Sequence, residues 1–163
     1  MQTCVAALRL PVRMSVERVS GCWWAECPDG VESAAMVAGC ATSPVPVKNA
    51  VAVPPERVLA YQTYSPGTGT LSVTRDSGHT GSLCSAGLFV DGKVAVLLKP
   101  GERVALHVPA GSVVVGAAYQ GSGICGMGAE RQERETIVNG GKVQNYRIST
   151  SGDGVLDVLP TTL

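Results

Sequence analysis

From Gly69 onward apolar and polar positions alternate with a period of two, the repeat of a strand that buries one face. Leu71 and Val73 alternate with Thr70, Ser72 and Thr74; Val94, Val96 and Leu98 share one face; Val104, Leu106 and Val108 alternate with Arg103, Ala105 and His107. Runs of this kind predict strands at 69–75, 84–91, 93–98, 102–108, 112–119, 133–138, 142–149 and 154–159. The breaks between them carry turn chemistry. Asp91-Gly92 between two apolar runs is a strong hairpin signal, because glycine accepts the positive φ of a primed turn. Pro100-Gly101, Pro109-Ala110-Gly111 and Asn139-Gly140-Gly141 mark further turns. Short spacings predict an antiparallel meander, and about eight strands without a long helical repeat predict an all-β fold, an antiparallel β-sandwich or small barrel. Ser112 to Tyr119, with its Val-Val-Val centre, suits a central strand, and the doubly polar Arg131–Glu135 run suits an edge.

Upstream the periodicity disappears. Residues 41–55 are rich in Pro, Val and Ala and read as an extended, mobile tether of polyproline character. Pro55 to Gln62 predicts a short helix with proline in its first turn. The expected organisation is a disordered leader over 1–40, a Pro-rich tether and short helix over 41–66, and a β-domain over 67–163.

The leader ends in Val37-Ala38-Gly39-Cys40, followed by Ala41-Thr42-Ser43-Pro44. This resembles the lipobox of bacterial lipoproteins. The resemblance implies that Cys40 becomes the lipid-modified first residue of the mature chain, carrying diacylglycerol and palmitate-type acyl chains. With Ala41 in place of an aspartate, it also implies sorting to the outer membrane, on its periplasmic face. A secretory signal needs about 7–15 uninterrupted apolar residues. Here Glu26, Pro28, Asp29 and Glu32 occupy that place, and only Ala34 to Gly39 is clean. Met1 to about Ser33 therefore reads as a mis-assigned start or a frameshifted leader; were it the true N-terminus, the protein would be cytoplasmic. A second resemblance, to small envelope β-modules of the PEGA type, rests on Leu88-Phe89-Val90-Asp91-Gly92-Lys93, Lys99-Pro100-Gly101-Glu102 and Val108-Pro109-Ala110-Gly111. It implies a surface or scaffold module rather than an enzyme.

Charge changes the picture little. Thirteen basic and thirteen acidic residues give a formal net charge of zero, so no global field attracts nucleic acid, and 4% aromatic residues argue against base-stacking platforms. No apolar run reaches the ~18 residues of a membrane-spanning helix, so membrane attachment would be through lipid. Oligomeric state is not encoded in any of these patterns.

Cysteine positions are more informative. Cys4, Cys22 and Cys27 fall in the leader, Cys40 is the lipid candidate, and Cys84 and Cys125 remain in the β-domain at glycine-flanked junctions, where a disulfide is expected. Ligand spacing for a metal is missing, and neither a metal nor a cofactor is expected. Gly121-Ser122-Gly123-Ile124-Cys125-Gly126 spells G-x-G-x-x-G, but no apolar helical face follows it, so it reads as a glycine loop carrying one half of the disulfide. Ser82 and Ser85 flank Cys84 without an identifiable base, and His107 falls on the polar side of its strand. Arg131, Glu133, Arg134 and Glu135 form a candidate binding patch of alternating charge. The leading expectation is a non-enzymatic, lipid-anchored envelope β-domain with a binding or structural role and an envelope protein as partner. Its alternatives are an envelope hydrolase using His79 with Glu130, Glu133 and Glu135, and a cytosolic β-domain with reduced thiols.

Overall fold

A computed structural model describes residues 42–126 and 130–163. The leader, the lipobox and Cys40 lie outside the described residues.

Nine strands form a β-sandwich of two sheets: β1 (Val51–Ala52), β2 (Thr68–Arg75), β3 (Ser85–Val90), β4 (Lys93–Leu98), β5 (Glu102–Pro109), β6 (Gly111–Gln120), β7 (Gln132–Val138), β8 (Val143–Thr150) and β9 (Leu156–Pro160). One sheet has the order β1-β5-β2-β8-β9 and the other β4-β3-β6-β7. Their facing sides supply one core, which includes Leu71, Leu88, Leu98, Leu106, Val115 and Ile148. Among the described residues the helical structure is confined to three-residue 3₁₀ turns.

The expected turns occur, but most do not join neighbours in a meander. Asp91 and Gly92 both take positive φ, 48° and 76°, and close the β3–β4 hairpin; Asp91 Oδ1 also accepts a hydrogen bond from the Val114 N–H at 2.9 Å. The breaks at Pro100-Gly101, Pro109-Ala110-Gly111 and Asn139-Gly140-Gly141 instead carry the chain from one sheet to the other. As a result β2 pairs with β5 antiparallel and with β8 parallel. Two expected positions hold: β6 is internal and β7 is an edge of its sheet. A bulge between Leu88 and Phe89 shifts the β3–β4 register, and in β4 Ala95 is buried beside Val96.

The expected tether is extended but not free. Val51-Ala52 pairs parallel with Glu102-Arg103, the Val53 N–H donates to the Arg103 carbonyl at 2.9 Å, and the Val53 side chain is buried. The expected helix over 55–62 is reduced to a 3₁₀ turn at Pro55–Arg57. Val58 then returns to extended backbone and bridges Val96, and the N–H groups of Leu59 and Ala60 both reach the Ala95 carbonyl. Residues 51–60 thus strap β5 to β4 and close one open side of the sandwich. The opposite side is held by Arg134 on β7, whose guanidinium donates to both carboxylate oxygens of Asp157 on β9 at 2.7 Å.

Candidate functional site

The end of the sandwich where β2, β4, β6 and β8 finish gathers the loops 76–84 and 151–155, the start of the described chain at Thr42, and the disulfide. Cys84, just before β3, is bonded to Cys125 in the loop after β6, with Cα atoms 5.4 Å apart. This is the expected pairing. Antiparallel pairing of Ser85 with Gln120 brings the two loop ends together. A 3₁₀ turn at Gly123–Cys125 delivers Cys125, so the G-x-G-x-x-G run serves as a disulfide loop.

Beneath the disulfide lies Arg75, 2% exposed. It follows Leu71 and Val73 on the core-facing register of β2, so its guanidinium must find acceptors inside the protein. Backbone carbonyls supply them: Gly81 through one nitrogen, Cys84 and Leu98 through another, each at 2.8 Å. The guanidinium also stands 5.9 Å from the centroid of the Tyr119 ring. Burial pulls the Arg75 pKa below its ordinary value, as expected for a cation without a carboxylate in contact. Its role is to fix the 76–84 loop against β4.

The next residue points to the other face. Asp76 is buried with Arg147 3.3 Å away and the Thr42 hydroxyl 3.3 Å from Oδ2, while Oδ1 has no hydrogen-bond partner. Burial pushes its carboxyl up, against the opposing pull of Arg147 and Thr42. Thr42 is itself locked in, accepting from the Thr150 N–H at 2.8 Å through its hydroxyl. Around this cluster Arg147, Ser149, Ser151, Asp153 and Asp157 line a solvent-open concavity of about 470 Å3. Hydroxyls and mixed charge suit it to small polar groups, and within it the Ser151 hydroxyl donates to the Asp153 carboxylate.

Sequence-derived candidates are dispersed. Strand alternation turns Arg134 inward to Asp157, while Arg131 pairs with Glu133 at 2.6 Å and covers the Phe89 ring at 4.6 Å from its centroid. Glu135 accepts from the Ser112 hydroxyl, well along β7 toward the other end. His79 is exposed in the 76–84 loop, and among the described residues no hydrogen bond or ion pair joins it to Glu130, Glu133 or Glu135. His107 shares a 3.2 Å hydrogen bond with Thr70 and meets Tyr64 edge-on. No cluster of three metal-ligating side chains occurs among the described residues.

The Arg75–Asp76 pair escaped the sequence reading, although an arginine on the Leu71–Val73 register was a readable signal. Comparison with protein-family models, curated proteins and solved structures finds no match.

Proposed function

We propose that this protein is a lipid-anchored β-domain of the cell envelope, held at the periplasmic face of the outer membrane through Cys40, with a binding or structural role rather than an enzymatic one. The observation that carries this reading is the Cys84–Cys125 disulfide, which suits a domain that matures in an oxidising, extracytoplasmic compartment. The lipobox resemblance at Val37–Cys40 supplies the address. The small polar concavity beside Asp76 and Arg147 and the charged edge at Arg131–Glu135 are the surfaces on which an envelope partner would be recognised.

Mass spectrometry of the protein purified from a lipoprotein-processing host tests the address. The expected product starts at Cys40 and carries a diacylglyceryl group; a chain with an unmodified Cys40 thiol would refute it. Maleimide labelling before reduction should leave Cys84 and Cys125 unlabelled, whereas labelling of both would favour the cytosolic alternative.

A further inference from the structure

The disulfide places two exposed aliphatic side chains at one tip. Leu83 and Ile124 immediately precede the bonded cysteines and are 90% and 76% exposed. The 5.4 Å separation of the cysteine Cα atoms keeps the Leu83 and Ile124 backbones within about 13 Å of one another. Among the described residues nothing covers either side chain. Chain connectivity indicates what does. Cys40 stands two residues before Thr42 in the sequence, and Thr42 is hydrogen-bonded to Thr150 at this same end. Ser43 bridges Ser77, and a Cβ at Gly78 would stand only 3.1 Å from the Thr42 side chain, so the loop that carries Leu83 is packed on Thr42. A cysteine acylated at that point has almost no slack to lift the domain away from the bilayer.

We propose that Leu83 and Ile124 form a membrane-contacting tip that inserts into the interfacial layer of the bilayer holding the acylated Cys40, and fixes the disulfide end of the sandwich toward the lipid. This inference rests on the lipid-anchor reading above. Lipid is the occupant that fits, because the exposed pair is aliphatic, bears no charge of its own, and lies at the end of the sandwich that holds Thr42, two residues after the acyl-acceptor candidate in the sequence. Exposed Lys48 and Lys99 flank the same end, where they can meet anionic headgroups.

The test uses the chain processed by a lipoprotein-exporting host to begin at Cys40, which carries no tryptophan because Trp23 and Trp24 precede that residue, reconstituted in phosphatidylethanolamine/phosphatidylglycerol vesicles. Indoles are introduced separately by Leu83→Trp at the tip and by Val143→Trp, an exposed site at the far end. Brominated acyl chains should quench the indole at position 83 at least about twofold and leave that at position 143 unchanged. Leu83→Ser/Ile124→Ser, both exposed and so neutral to folding, should keep the melting temperature while making residues 77–83 exchange amide hydrogens with solvent as fast as in lipid-free protein. Equal quenching at the two positions, or none at either, in protein whose Cys40 carries lipid by mass spectrometry would overturn the tip and leave the anchor standing. Self-association in lipid-free buffer that the double serine variant abolishes would assign the tip to a second copy and overturn it too. An unmodified Cys40 would instead remove the anchor reading, and this inference with it.

Discussion

At the scale of single residues, the defining choice is to bury an arginine without a carboxylate. Arg75 donates to three backbone carbonyls, of which Gly81 also accepts from the Cys84 N–H, so Arg75→Met removes three buried hydrogen bonds and should cost about 3 kcal/mol in urea denaturation. Arg75→Lys, with a single ammonium in place of a planar fork, should fall between the two. Two carboxyls respond to acid in opposite senses. For Glu102, burial raises its pKa, but hydrogen bonds from Arg57 at 2.7 and 2.5 Å and from the Lys99 N–H outweigh it and hold the carboxyl below its ordinary value. The unfolded chain then binds that proton more tightly, so the stability contributed by Glu102 is complete above its unfolded pKa and is lost as pH falls through the folded one. Asp76 is raised, so the folded state gains on protonation, a contribution present at low pH and lost as pH rises through the folded value. Stability followed from pH 7 to pH 3 should therefore decline less steeply in Glu102→Gln and more steeply in Asp76→Asn than in the parent.

At the scale of elements, strand positions were readable because each strand buries one face and repeats every second residue. The register of Leu71, Val73 and Arg75, or of Val104, Leu106 and Val108, needs only that rule. What the rule cannot distinguish is a turn that returns the chain beside itself from one that sends it across the core. Pro109-Ala110-Gly111 has the same chemistry in either role, and the spacing is equally short. The strap over 51–60 was misread for a related reason: it packs through backbone hydrogen bonds and isolated side chains such as Val53 and Val58, which leave no period. Because these backbone groups are paired, limited trypsinolysis should spare the bonds after Lys48 and Arg57; an early fragment beginning at Asn49 or Val58 would show the strap to open readily. The disulfide bridges a sequence separation of 41 residues. Chain entropy then predicts that Cys84→Ser/Cys125→Ser loses about 4 kcal/mol, read as a fall in melting temperature, and that reductant reproduces the loss.

At the scale of the whole molecule, the sandwich was legible and its wiring was not. A disulfide could be paired from the sequence because only two cysteines fell inside the β-domain, whereas the Thr42–Asp76–Arg147 cluster joins residues from three separate stretches that no local pattern connects. The described chain enters at the disulfide end, at Thr42, and leaves past β9 at the other, where Thr161 is hydrogen-bonded to Asn145 near the start of β8. Both terminal strands lie along that axis: β1 runs beside β5, and β9 runs antiparallel to β8. Tension between an anchored entrance and a partner gripping the exit would act along the strands rather than across them, so the ladder bonds of β9 would share the load and have to slip together instead of parting one by one. Such a domain transmits a pull without opening, the behaviour of a rivet rather than of a zipper.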